Sequence, residues 1–223
     1  FNSTIAYNGA LTPFRNPSYN NTLGYDASIF IPNNAAQNYL NNGATSANIR
    51  VTTTSETILS RVITSAVDIY EPDLRATVFV NDLNGGAVAP GDILEYTISG
   101  KNIGSDVAVN CFITDTLDIR TDYVPNSLVV LNGPNAGPKT DAAGDDQAEY
   151  NSATRFVKYR VGSGASASSG GSMINTTLDS VLVKFQVQVS NDCLILKCDS
   201  TLENKAYIFG TGTLSGNTVT NNG

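Results

Sequence analysis

Two adjacent segments between Ala89 and Leu117 alternate apolar and polar residues, and this alternation strongly restricts the fold. The first segment follows the turn residues Pro90 and Gly91, and its apolar positions are Leu94, Tyr96 and Ile98. The second segment follows a polar turn, and its apolar positions are Val107, Val109, Cys111 and Ile113. A period of two residues is typical of half-buried β-strands, because successive side chains point to opposite faces of a sheet. We therefore expect a hairpin-like pair of antiparallel strands within a β-sandwich.

The same β pattern recurs along the chain, without a convincing helical period. The clearest strand is expected at 181–189, where valines and Phe185 alternate with Leu, Lys and Gln. About seven or eight such segments, separated by turn residues, lie between Leu74 and Val219, which is typical of an immunoglobulin-like sandwich. The sequence thus predicts an all-β protein of tandem β-sandwich modules, the second immunoglobulin-like with Greek-key connections.

An acidic run that contains Pro72, at 68–73, marks the expected junction between two modules. Residues 1–70 are expected to form a partial N-terminal β-sandwich module, with β segments at 24–31, 47–53 and 58–69. Four or five strands are too few to close a sandwich, so strands that precede residue 1 in a longer protein should complete it. Residues 71–223 should form the second module.

Composition excludes several functional classes. Histidine is absent, which rules out Ser-His-Asp and Cys-His nucleophile systems and removes a common zinc ligand. The net charge of −7 without a basic stripe argues against nucleic-acid binding. No run approaches the roughly 18 apolar residues of a membrane span. The sequence also places no two carboxylates across a pocket, so we expect a protein that is not an enzyme.

The three cysteines differ in their surroundings. Cys111 falls on the apolar face of its strand and should be a small core residue. Cys193 and Cys198 frame four residues, a spacing that a disulfide-closed loop could span. Two free thiols at a strand end are the alternative.

Several motifs occur in order in the second half of the chain. They are Pro-Gly-Asp-x-Leu-x-Tyr-Thr-Ile at 90–98, Lys-Asn-Ile-Gly at 101–104, Thr-Asp-Thr-Leu at 114–117, Tyr-Val-Pro-Asn-Ser-Leu at 123–128, Asp-Ala-Ala-Gly-Asp-Asp-Gln-Ala-Glu-Tyr at 141–150, Val-Lys-Phe-Gln-Val-Gln-Val at 183–189 and Asn-Lys-Ala at 204–206. Over roughly residues 74–220 this order resembles the conserved-repeat domain of large bacterial surface proteins, in a form similar to those of the Bacteroidota.

The resemblance implies a non-enzymatic structural or adhesive module of a secreted cell-surface protein, within a tandem-repeat adhesin or stalk. Its partners would be neighbouring modules of the same polypeptide or fibre, and surface glycans or other cells. Two alternatives stay open: a subunit of an extracellular filament, and a carbohydrate-binding module. The latter would need a tyrosine-based stacking surface, because the chain contains no Trp.

Two acidic clusters are candidate calcium sites, since hard cations bind clustered oxygen ligands. The first, at 141–149, comprises Asp141, Asp145, Asp146 and Glu149, with Gly144 permitting a tight turn. The second comprises Asp82, Asn84 and Asp92, close to the junction acids Glu71 and Asp73. A solvated acidic loop and a solvated linker are the alternatives. No other cofactor is predicted.

The resemblance also implies two covalent modifications. Asp-Ser/Thr motifs similar to O-glycosylation sites of Bacteroidota surface proteins occur at Thr116, Ser180 and Ser200. Surface sandwiches of this kind sometimes join a Lys to an Asn with the help of a buried acid. Asn204 would be the acceptor of such an isopeptide bond and Lys101 or Lys184 the donor, although alternation places both lysines on outward faces.

Overall fold

The computed structural model describes residues 4–12, 21–34, 37–41, 43–55, 57–176, 180–197 and 201–223, and the chain divides into two compact units, Phe1–Val62 and Ile63–Gly223. The strands are β1 Ile5–Tyr7, β2 Ala10–Leu11, β3 Ala27–Ile29, β4 Leu74–Asp82, β5 Ile93–Asn102, β6 Ala108–Thr116, β7 Thr121–Tyr123, β8 Val129–Asn132, β9 Gly137–Pro138, β10 Ala148–Asn151, β11 Phe156–Arg160, β12 Gly171–Met173, β13 Ser180–Val189, β14 Ala206–Gly212 and β15 Thr218–Asn222. One short helix, α1, spans Cys193–Leu196. The prediction of an all-β fold is confirmed, and the described helix is too short to span a membrane.

The first unit contains a small sheet in the order β2-β1-β3, in which β1 pairs antiparallel with β2 and parallel with β3. The strands expected at 47–53 and 58–69 are wrong for the part of the chain that is described, which has no strand between β3 and β4. Residues such as Ile49 and Leu59 are exposed there. β-branched residues favour an extended backbone, but a strand also needs a hydrogen-bonded neighbour. The module boundary at 70/71 stays a prediction.

The second unit is a sandwich of two sheets, each with six strands. The front sheet has the order β4-β5-β13-β8-β9, and β7 also pairs with β13. The back sheet has the order β10-β11-β6-β14-β15, and β12 also pairs with β6. All of these pairs are antiparallel.

β5 and β6 are consecutive in the chain but lie in different sheets. The expected hairpin-like pairing is therefore wrong: β5 pairs with β4 and β13, whereas β6 pairs with β11, β12 and β14. The apolar faces of both strands point into the space between the sheets. Residues 103–107 carry the chain from one sheet to the other. The apolar faces of β5 and β6 are therefore buried against opposite sheets, instead of lying side by side on one sheet.

A bulge in β6 changes which residues face the core. Thr211 pairs with Val109 and Phe209 with Phe112, so β6 has one residue more than β14 across this step. Asn110 lies in the bulge with a φ of 52°. Ala108 is therefore buried, while Val109 is only half-buried, contrary to the simple alternation. Bulges insert one residue and shift the side-chain alternation in this way.

The hydrophobic core fills the space between the two sheets and draws on residues from Leu74 onward. Tyr96 and Phe185 meet across β5 and β13 with ring centroids 5.6 Å apart. Ile113 and Ile208 are fully buried from the back sheet, and Cys111 is buried beside them as predicted. Each such side chain contributes about 1.5–3 kcal/mol through burial. The core therefore holds the loops at both ends of the sandwich in place.

Candidate functional site

The segment that leads into the sandwich is fastened to the loop between β5 and β6, and we call this set of contacts the junction clamp (residues 69–73 with 102–106). Ser105 Oγ donates to the carbonyl of Ile69 at 2.9 Å, and the Ser105 N–H donates to the carbonyl of Glu71 at 3.0 Å. The Ile103 N–H donates to the carbonyl of Asp73 at 2.8 Å. These bonds fix the path of residues 69–73 against the loop between β5 and β6.

Asn102 organises the junction clamp from within, because it is buried and uses both ends of its amide. Its Oδ1 accepts from the N–H groups of Asp73 at 3.1 Å and Gly104 at 3.0 Å, and its Nδ2 donates to the carbonyl of Asp106 at 2.8 Å. A Cβ on Gly104 would lie 2.3 Å from Asp73 N and from Glu71 O. The backbone approach therefore requires glycine at this position. The Lys-Asn-Ile-Gly motif thus has a physical role in the junction.

Asp106 ties the turn after β14 to the same end of the sandwich. Its carboxylate accepts from Thr213 Oγ1 at 2.8 Å and from the N–H groups of Leu214 and Ser215 at 2.9 Å each. Burial opposes ionisation of Asp106, but the hydrogen bonds from Ser215, Thr213 and Leu214 outweigh it and keep its pKa below the usual range. The folded state therefore stabilises the ionised form of Asp106.

The acids proposed as a junction calcium site each have a separate protein partner. The pairs are Glu71 with Asn217, Asp73 with Arg75, Asp82 with the N–H of Asn84 and Asp92 with the N–H of Ala89. Asp82 and Asp92 bond to a backbone N–H two or three residues away, as is usual in turns.

Hydrogen bonds to its own carboxylates also stabilise the acidic loop at 141–149. Asp141 accepts from Tyr123 OH at 2.6 Å, and Asp146 accepts from the N–H groups of Thr140 and Ala148 at 2.8 Å each. The remaining two contacts are Asp145 with Thr140 Oγ1 at 2.6 Å and Glu149 with Arg160 at 3.2 Å. Within the described residues, no three acidic or cysteine side chains form a metal-binding group. Calcium binding by either cluster stays a prediction.

Two of the proposed glycosylation sites fall at strand ends. Thr116 is exposed at the end of β6, and Ser180 is half-buried at the start of β13. Ser200 lies outside the described residues. Cys193 is exposed in α1, and its proposed disulfide partner Cys198 also lies outside the described residues. The glycosylation sites and the disulfide stay predictions.

A buried acid–amide pair links β6 to the segment before β14. Asn204 was predicted as an isopeptide acceptor, but Asp115 was not predicted as its partner. Asp115 is 1% exposed, and its Oδ2 accepts from Asn204 Nδ2 at 2.7 Å. Its other oxygen, Oδ1, is buried without a partner among the described residues. Burial raises the pKa of Asp115 to about 7, and the Asn204 hydrogen bond opposes that rise only in part. The sequence could have indicated this buried acid, because Asp115 follows Ile113 by two residues and so falls on the apolar face of β6.

The two lysines considered as isopeptide donors lie on the front sheet, away from this pair. Lys184 Nζ is 3.0 Å from Glu95 Oε2, and Lys101 is exposed on β5. Their outward orientation is as alternation indicated, whereas Asp115 belongs to the back sheet. The pair therefore contains an acid and an amide, and neither proposed lysine is their hydrogen-bond partner.

Comparison with known proteins identifies fold neighbours only. No family model matches the sequence, and no curated protein matches it. Similar solved structures include the major pilin SpaD from Corynebacterium diphtheriae, at 15% identity and a TM-score of 0.45, over 67% of this chain and 34% of that one. The T6 backbone pilin of serotype M6 Streptococcus pyogenes has 13% identity and a TM-score of 0.41, over 68% of this chain and 35% of that one.

A third similar structure is ACE19, the collagen-binding subdomain of the Enterococcus faecalis surface protein ACE. It has 13% identity and a TM-score of 0.40, over 66% of this chain and 92% of that one. This chain spans about a third of the length of the two pilins. At such identities and TM-scores the activities of these proteins do not transfer to this chain.

Proposed function

We propose that this chain is a non-enzymatic structural or adhesive module of a secreted bacterial cell-surface protein, in a tandem adhesin or stalk. The junction clamp is the observation that carries the proposal. A stalk needs modules whose connecting segment is ordered where it enters each sandwich, and a fully flexible linker would not provide this. Here the incoming segment at 69–73 is bonded to the loop at 102–106, and Gly104 permits the close approach of the two backbones.

The way in which acidic side chains are used supports the same proposal. Asp106, Asp141 and Asp146 each accept several hydrogen bonds within their own sandwich. Hydrogen bonds to charged groups contribute about 1.5–3 kcal/mol each. A module whose loops are stabilised by such hydrogen bonds is suited to a load-bearing role, in which loops at both ends must keep their conformation.

Surface location is the first test. Antibodies against this chain should label intact, unpermeabilised source cells, and external protease should remove the signal while a cytoplasmic control protein stays intact. Labelling that appears only after permeabilisation would contradict the proposal.

The filament alternative is favoured by an open edge of the front sheet, at β4. The two architectures differ in the intact gene product. A very long polypeptide with many similar modules would establish the tandem adhesin, whereas a short polypeptide that runs as an SDS-labile or covalent ladder would establish a filament subunit. Binding of the isolated chain to a glycan array, reproducible across preparations, would favour the carbohydrate-binding alternative.

A further inference from the structure

β4 forms one edge of the front sheet and lacks several of the features that usually protect such an edge, although Arg75 and Asp82 carry charges near its two ends. Its nine residues pair with β5 without a register shift, so no bulge interrupts it. The strand contains neither Lys nor Pro. Natural edge strands are commonly short, bulged, or marked by Lys or Pro, because unpaired backbone groups invite pairing with another chain.

Only the second half of this edge is open. The Ala76 N–H points away from β5 and is 3.4 Å from Asn221 Oδ1, and Gly223 lies against the backbone of Thr77. By alternation, the N–H groups of Val78 and Val80 point to the same side, and the described chain provides no hydrogen-bond partner for either. Val80 is also 60% exposed.

The same chain carries a segment with the composition of a strand, at 63–70, whose backbone is bonded to other described residues at Ile69 but not at residues 63–68. It reads Ile-Thr-Ser-Ala-Val-Asp-Ile-Tyr, which is rich in β-forming residues and contains one charge. Val67 is 61% exposed and Ile69 is 78% exposed. The backbone of residues 63–68 has no hydrogen bond to any other described residue.

This segment cannot pair with β4 of its own chain. To lie beside residues 78–82, it would have to reverse direction within 69–73. The junction clamp instead bonds the carbonyls of Ile69, Glu71 and Asp73 to the loop at 102–106. The clamp therefore leaves the segment available to another molecule.

We propose that the segment at 63–70 of one copy adds as a strand to the edge at 78–82 of a second copy. Main-chain hydrogen bonds would supply the affinity, as in other cases of strand addition. Donor and acceptor are different surfaces, so the contact is heterologous and can repeat into an open fibre. This inference rests on the proposed function in its filament form.

Sedimentation velocity of the full chain over a range of concentrations tests the proposal. We expect concentration-dependent association, and we expect Val80→Lys to weaken it at least tenfold. Val88→Lys is the matched control, because Val88 is also exposed and apolar but lies in the loop after β4. The control should associate like the unmodified chain.

Mixing two variants makes the test specific. Val67→Pro removes a donor-strand N–H, and Val80→Lys blocks the acceptor edge. Each variant alone should associate at least tenfold more weakly than the unmodified chain, whereas an equimolar mixture should form a dimer, because one intact segment and one intact edge remain. A labelled peptide of residues 61–72 should also bind the unmodified chain, by fluorescence anisotropy, and should not bind Val80→Lys.

Several results would overturn the inference. These are a monomeric unmodified chain at all concentrations with no peptide binding, association that survives both substitutions, and equal loss in Val88→Lys. Circular dichroism of each variant would show that its sandwich is folded. Failure of surface labelling would instead contradict the proposed function and leave the measured association unchanged, so the two failures are distinguishable.

Discussion

Replacement of Asp115 by Asn should remove a pH-dependent loss of stability. The pKa of this buried carboxyl is about 7 in the folded chain, against 3.8 as the ordinary value. In the unfolded chain the group ionises near its ordinary pKa, so the folded state loses stability as pH rises from about 4 to about 7. A difference of about three pKa units corresponds to about 4 kcal/mol, at ~1.36 kcal/mol per unit.

Asn is the appropriate substitution because it keeps the shape of the acid and stays neutral at every pH. Its side-chain oxygen can still accept from Asn204 Nδ2, which lies 2.7 Å from Asp115 Oδ2. Its NH₂ group would take the position of Asp115 Oδ1, which has no hydrogen-bond partner among the described residues. The introduced amide thus resembles the protonated acid, and the two proteins should have similar stability near pH 4.

The assay is urea unfolding followed by far-ultraviolet circular dichroism at several pH values between 4 and 8.5. The free energy of unfolding of Asp115→Asn, minus that of the unmodified protein, should rise with pH and level off above pH 7. Because other groups titrate equally in both proteins, the difference isolates Asp115. A flat difference for Asp115→Asn would refute the reasoning.

Three further outcomes are expected. Gly104→Ala should lower the free energy of unfolding by about 2 kcal/mol or more through the backbone clash, and deuterium exchange should become faster at the amides of residues 69–73. Asp106→Asn should cost about 1.5–3 kcal/mol in urea unfolding at pH 7. Because the pKa of Asp106 is lowered by folding, this cost should shrink as pH falls through that pKa, below 3.8. Tyr123→Phe should cost about 1–3 kcal/mol through loss of the bond to Asp141. In the unmodified chain, burial and then the Asp141 hydrogen bond raise the pKa of Tyr123 well above its usual range. Because burial also raises the pKa values of Tyr96 and Tyr159, spectrophotometric titration should show one late-titrating tyrosine fewer in the variant than in the unmodified chain.

Alternation predicted the strands and most of their buried faces, because a period of two is imposed by backbone geometry alone. Leu94, Tyr96 and Ile98 are buried as expected. The alternation failed at Val109, where the bulge at Asn110 adds one residue to β6. A local pattern contains no information about such an insertion, since the partner strand β14 lies about a hundred positions later in the chain.

The pairing of strands was less predictable than their positions. β5 and β6 have the pattern of a hairpin, but the choice of sheet depends on which other strands offer an apolar face, and β13 takes the place beside β5. The acidic residues illustrate the same limit. The sequence showed that the acids at 141–149 are close in the chain, but it did not show that Tyr123 and Arg160 would bind two of them.

The position of β13 has a consequence for how the protein is made. This strand joins β5 to β7 and β8, and it supplies Phe185 to the core. A growing chain that has not yet reached Ser180 therefore has β5 and β8 without the strand that lies between them. Sheets closed by distant segments fold slowly and expose apolar surface in the meantime. Synthesis of residues 180–223 should thus be the step that commits the sandwich to its native form, and truncation before Ser180 should yield an aggregating product rather than a smaller stable domain.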